Sequence, residues 1–308
     1  MITEPWYWTQ QAVNALVVSS FYCLFATAFV LVLGVTNRIN LAFGAIATWA
    51  GYSAIATADV LLTTTFLSHG AILALVAVAV AGMGIGFGLL FGRGLLGRLV
   101  GEPVAAMFVA TLGLALALEE AIRVVAASRD MWLEPLWSEP LLILPFGARD
   151  VRISAVQALV TVAGFATSVA VWAALARTRY GRAWRAVSQD PGMARLLGID
   201  PVRVVAVACV LSCLASAQAG AGFAAYYGNI APYNGFTMGL KALFISIVGG
   251  TRSMRGALVG GIGIGLFETL WSAAMPMALR DAATFAVLIA ALVLFAPGKA
   301  DIDTRERG

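Results

Sequence analysis

Ionisable side chains inside apolar stretches are where this sequence could do chemistry, and they are few. Lys241 falls in the apolar run from Phe236 to Gly249, and Glu268 in the later half of the run from Gly256 to Ala273. Counted at 1.5 Å per residue, Lys241 lies about 7 Å inside the end of its run. An isolated charge at that depth costs roughly 2.5–3.5 kcal/mol on insertion scales, which calls for pairing or a wet cavity. Glu119, Glu120 and Arg123 end another run, and the i, i+4 spacing of Glu119 and Arg123 predicts an interfacial clasp. His69, the single histidine, lies in a loop and is given no role. Cys23, Cys209 and Cys213 sit in apolar runs without paired spacing and read as small fillers.

Intramembrane catalysis needs His/Glu/Asp metal clusters, paired carboxylates or a Ser–His or Ser–Lys couple. One histidine and two lysines, Lys241 and Lys299, supply these poorly, so the expectation is no enzyme, no metal and no cofactor. The chain also lacks a Gly-x-x-x-x-Gly-Lys-Ser/Thr phosphate loop, which excludes ATP binding of that kind.

The elements that must position these residues are set by composition. Of 308 residues 61% are apolar and only 12% charged, and the mean hydropathy is +0.89. A soluble domain carries roughly a quarter charged residues, so lipid must be the solvent here. The expected fold is an all-α polytopic membrane protein, one domain over residues 1–308. It has about eight transmembrane helices with short or re-entrant Gly-broken segments. The runs are Val13–Leu33, Leu41–Thr57, Ala71–Phe91, Val104–Val125, Ile153–Ala176, Val204–Tyr227, Phe236–Gly249, Gly256–Ala273 and Ala282–Phe295. The start lacks the basic residues of a signal peptide and reads as a retained span with an aromatic belt, Trp6 to Trp8.

Positive loops stay cytoplasmic. Six arginines lie between Arg177 and Arg203; Arg38, Arg93 with Arg98, Arg252 with Arg255, and Lys299, Arg305 and Arg307 mark other inside segments. Glu4, Asp59, the Arg129–Arg152 loop with its four acids, and Arg280-Asp281 mark the outside. The alternation predicts eight crossings, with the N-terminus outside and the C-terminus cytoplasmic. The net charge of +4 is therefore topological and gives no sign of nucleic-acid binding.

The inside loop 177–203 carries its own helix signals. Asp190 is an N-cap before Pro191, and Gly198 a C-cap before Pro201. Met193, Leu196 and Leu197 form an apolar ridge at i, i+3, i+4. Two uses fit: docking into a cytoplasmic partner, or resting on anionic lipid. Two segments, Asn40–Thr57 and Phe236–Gly265, are short or glycine-broken. Exposed backbone groups there need protein or a watery cavity to cover them. They are the candidate translocation path, although the spacing of Gly256, Gly260, Gly261 and Gly265 equally serves close helix packing.

Arg177, Thr178, Gly181, Arg185, Ala186, Gln189, Asp190, Ala194, Gly198 and Ile199 stand in a register that resembles the coupling loop of the branched-chain amino acid permease family of ABC importers. Asn40 to Gly44, Thr111 to Leu114, Tyr227-Gly228, Pro232-Tyr233, Gly235-Phe236, Lys241-Ala242 and the hairpin from Val248 to Ala257 are similar in the same order. Thr251 to Arg255 departs from the usual hairpin by two arginines and a missing middle glycine. The resemblance implies an inner-membrane permease subunit with two cytoplasmic ATPases, a second permease subunit (homologous or another copy), a periplasmic binding protein and surrounding lipid. It implies ATPase coupling through Arg185, Ala186, Gln189, Asp190, Ala194, Leu196, Leu197 and Gly198. The candidate path runs near Asn40, Gly44, Tyr233, Lys241 and Glu268, where the two charges either pair or meet the ammonium and carboxylate of a passing amino acid. The rival is a stand-alone secondary transporter or channel for a small polar solute, which would need mid-membrane acids and no docking loop.

Overall fold

The computed structural model describes residues 5–95, 103–132, 140–146 and 149–295. Glu4, Arg98, Glu134, Glu139, Lys299, Arg305 and Arg307, used above for topology, lie outside the described residues. The long apolar runs become helices α1 (Pro5–Thr36), α2 (Ala42–Thr64), α3 (His69–Leu89, closing in a π turn at Leu90–Leu95), α4 (Val104–Val125) and α5 (Ala155–Arg177). Two short helices follow, α6 (Arg179–Gln189) and α7 (Pro191–Leu196), then α8 (Pro201–Tyr227), α9 (Asn234–Val248), α10 (Met254–Ala274) and α11 (Arg280–Phe295). Among the described residues eight helices are long and apolar enough to cross a membrane, with α9 shorter at 15 residues.

The hub is α1, which α5, α8, α9 and α10 surround. Lipid gives no hydrophobic drive between helices, so close backbone approach through small residues must hold them. A Cβ on Gly261 or Gly265 of α10 would run into Cys23 or Ser19 of α1. Gly220 of α8 leaves no room for a Cβ beside the Ala47 carbonyl of α2, and Gly84 and Gly88 of α3 lie against α8 in the same way. Ser212 Oγ adds a hydrogen bond of 2.8 Å to the Ala28 carbonyl of α1.

The two ends of the bundle differ in charge. Thr36, Arg38, Arg195 and Pro201 gather at one end, where Trp184 and Thr251 close on Gly34. At the other, Tyr7 donates to the Ala273 carbonyl, Gln10 pairs with Arg152, and Tyr52 donates to the carbonyl of Arg129. Strand β1 (Met131–Trp132) pairs with β4 (Asn229–Ile230), and β2 (Pro140–Phe146) with β3 (Arg149–Ser154), both antiparallel. The charge pattern places Leu141 to Phe146 in an outside loop, and the structure pairs this apolar stretch as a strand instead.

An even number of crossings returns a chain to its starting side, so eight crossings and termini on opposite sides do not fit together. α9 runs from Asn234 to the turn at Thr251 beside Gly34. It is about 22 Å long, less than a full hydrocarbon layer.

Leu41–Thr57 also differs from expectation. α2 is a continuous 23-residue helix, and Gly44 and Gly51 do not interrupt it. The break lies just before it, in the non-helical residues 37–41. Thr111, about 10 Å along α4 from its start, donates to the Ile39 carbonyl at 3.4 Å, so this segment enters the bundle before α2 begins.

Candidate functional site

At the arginine end, α6 and α7 form a rigid elbow. Thr178 starts α6 by accepting from the Gly181 N–H at 3.2 Å, while its own hydroxyl donates to the Ala174 carbonyl at 2.6 Å. Gly181 packs so closely on Leu175 that a side chain has no room. Tyr180 donates to the Val204 carbonyl at 3.2 Å, and burial pushes its phenol above the usual range. Trp184, 4% exposed, donates its indole N–H to the Leu31 carbonyl of α1 at 3.0 Å. Arg185 donates to the Leu175 carbonyl at the end of α5.

α7 is built as its local chemistry predicts. The Asp190 side chain accepts from the N–H groups of Gly192 and Met193, at 2.7 and 3.1 Å, and Pro191 opens the helix. Gly198 ends the turn at φ +78°, a left-handed conformation that favours glycine. Ala194 faces inward and is buried, Ala186 is half-buried, and Gln189 is exposed. Met193, Leu196 and Leu197 point away from the bundle, at 60, 82 and 77% exposure.

In the acidic half, four charges and a tyrosine converge. Lys241 Nζ lies 3.0 Å from Glu268 and 2.8 Å from Asp281. Arg280 Nε lies 3.3 Å from Glu268 and 3.5 Å from Asp281. Tyr22 donates to Glu268 Oε2 at 2.6 Å. Lys241 and Glu268 are almost fully buried, so the pairing expected for them is present. No local pattern points to Tyr22, Arg280 or Asp281 here. The last two had marked only an outside loop, and the chain reversal between α10 and α11 folds them back beside Glu268. A cavity of about 270 Å³ opens onto this cluster, with Phe21, Phe25, Phe223 and Met238 as apolar lining.

The other path candidates lie elsewhere. Asn40 is buried, and its Oδ1 accepts from the Ala42 N–H at 3.0 Å, satisfying an orphan donor where α2 begins. Gly44 lets the first turn of α2 touch the first turn of α9 at Gly235, with Gly239 one turn on. Tyr233 is exposed, and its hydroxyl accepts from Arg123 Nη1 at 2.9 Å. Of the group Glu119, Glu120 and Arg123 expected to form a clasp, Arg123 and Glu120 pair at 2.8 Å, and Glu119 does not join them. Glu119 is buried instead, and its Oε1 has no hydrogen-bond partner among the described residues.

Residues 11–296 match the family described as the branched-chain amino acid transport system / permease component. The chain is 29% identical over 303 residues to the high-affinity branched-chain amino acid transport system permease protein LivH of Salmonella typhimurium, covering 95% of each chain. It is 29% identical to BraD, the protein of that description in Pseudomonas aeruginosa, covering 96% of this chain and 95% of that one. Similarity at 29% identity extends over 60% of the chain to the fructose import permease protein FrcC of Rhizobium meliloti. A matched segment running from the second turn of α1 to the end of α11 places the whole bundle within one family. The chain belongs to the branched-chain amino acid transport permease family.

Proposed function

We propose that this chain is the translocation subunit of an ATP-binding-cassette importer for branched-chain or similar amino acids, a single permease domain over residues 1–308. The arginine end faces the cytoplasm and the acidic end the periplasm of a bacterial inner membrane, with the N-terminus outside and the C-terminus inside. The partners are two cytoplasmic ATPases, a second permease subunit and a periplasmic binding protein. Family membership supports the transport role, and one observation carries the coupling. The ridge of Met193, Leu196 and Leu197 is exposed on a short helix that Trp184, Tyr180 and Arg185 tie to α1, α5 and α8. Burying large apolar side chains contributes about 1.5–3 kcal/mol each, enough for a docked ATPase to push on the elbow. Because Trp184 is bonded to α1, a displacement of α7 is transmitted to the hub. Residues 37–41, Gly44 and Tyr233, with Lys241 and Glu268, are assigned to the path.

The test is purification of the tagged chain from its native membrane, with mass spectrometry of the proteins that come with it. A soluble ATPase present with the wild type and lost in the Leu196→Asp, Leu197→Asp double variant supports the reading. A folded, inserted wild-type chain that brings down no ATPase refutes it, and a stand-alone transporter then takes its place.

A further inference from the structure

We propose that the cavity beside Arg280 is a binding site within the permease itself for an α-amino acid zwitterion, with Arg280 taking the carboxylate and Asp281 the ammonium. This rests on the importer reading above and adds a location and a recognition chemistry to it. Arg280 lines the cavity with its side chain 27% exposed, and it nears Glu268 and Asp281 through Nε. Both of those ion pairs run through Nε, at 3.3 and 3.5 Å, and no hydrogen bond of Nη1 or Nη2 is found among the described residues. A guanidinium fork left in this way suits bidentate capture of a carboxylate. It also stands at the first residue of α11, where the helix dipole favours negative charge.

Asp281 spends one oxygen, Oδ1, on both Lys241 and Arg280. Its Oδ2 has no protein partner among the described residues, and the side chain is 48% exposed. It is therefore available to an ammonium group. The two receptors are consecutive residues, as suits two charges carried on one α-carbon. Phe21, Phe25, Phe223 and Met238 offer apolar surface for a hydrocarbon side chain in the same cavity.

Charge balance narrows the ligand class. Lys241 and Arg280 oppose Glu268 and Asp281, so the cluster is neutral as it stands. A zwitterion leaves it neutral, whereas a free carboxylic acid or amine brings an uncompensated charge into a desolvated site. A sugar offers neither charge to either receptor.

The experiment is equilibrium binding of radiolabelled L-leucine to the full-length chain in lipid nanodiscs, competed with L-leucinol, which lacks the carboxylate, and 4-methylpentanoate, which lacks the ammonium. Each analogue is expected to compete at least about tenfold more weakly than leucine, the equivalent of one lost charge-assisted hydrogen bond. Arg280→Lys keeps the charge, loses the fork and is expected to weaken leucine binding several-fold, with an unchanged elution profile. Asp281→Asn is expected to narrow the gap between leucine and 4-methylpentanoate. Analogues that compete as well as leucine overturn the site, and so does undiminished leucine binding by Arg280→Gln. Uptake by the assembled importer separates the two ideas. Leucine uptake with an unchanged KM in Arg280→Gln removes this site and leaves the importer standing. Loss of the ATPase partnership described above removes the importer whatever the cavity binds.

Discussion

Replacing Lys241 by Met removes the cation at the centre of the buried cluster, and the structure allows its cost to be worked out. Breaking a buried ion pair by deleting one partner costs about 3–5 kcal/mol, because the remaining charge is stranded. Here it is only partly stranded. Arg280 stays within 3.3 Å of Glu268, Tyr22 keeps its 2.6 Å bond to the same carboxylate, and Asp281 is half exposed. The loss therefore falls at the lower end, about 3 kcal/mol. Glu268→Gln leaves two cations facing one half-exposed carboxylate and costs at least as much. The double variant leaves Arg280 with Asp281, a neutral pair, so it costs less than the sum of the singles by about 1–2 kcal/mol. At about 2 °C per kcal/mol for a chain of this size, Lys241→Met lowers the apparent midpoint by about 6 °C. Membrane proteins often unfold irreversibly, so the comparison is made by intrinsic tryptophan fluorescence in one detergent at one scan rate. A shift below about 1 °C for Lys241→Met, or a double variant that equals the sum of the singles, would show that these charges do not hold α9, α10 and α11 together.

Two more predictions follow from close contacts. Trp184→Phe leaves the Leu31 carbonyl without its indole donor at a buried site. It is expected to destabilise by about 1–3 kcal/mol and to speed hydrogen exchange across α6 and α7 while α9 is unchanged; uniform exchange would refute the tether. Gly220→Val forces α2 and α8 apart where no Cβ fits. A sharp drop in folded yield is expected, measured as the monodisperse fraction in size-exclusion chromatography, whereas Gly113→Ala on open surface leaves that fraction unchanged.

How much of this was legible in the sequence depended on how local the governing physics is. The α7 caps at Asp190 and Gly198 were readable because cap, proline and glycine act within a turn of one another. The spans were readable because lipid demands long apolar runs. Glycine was ambiguous for a physical reason: its spacing in α2 and α10 looks the same whether it breaks a helix or lets a neighbour approach. Gly44, Gly256, Gly261 and Gly265 all make close approaches inside intact helices or at their ends. The i, i+4 spacing offers Glu119 to Arg123, but Tyr233, 110 residues away, and Glu120 hold it instead. Arg280 and Asp281 carried no signal for the cluster, since only the reversal after α10 brings them to Lys241. The strands near residues 131 and 230 depend on a pairing across about a hundred residues, which no window of sequence contains.

The central position of α1 has a consequence for how the molecule is made. α1 emerges from the ribosome before every helix that will enclose it. Ser19, fully buried in the finished protein, finds its acceptor on Ile262, 243 residues later. At bacterial elongation rates of about 5–20 residues per second, that acceptor arrives about 12–50 seconds later. During that interval α5, α8 and α9 reach α1 in turn. Assembly of this bundle is therefore timed by translation, and α10 is the latest of the helices that close over the first.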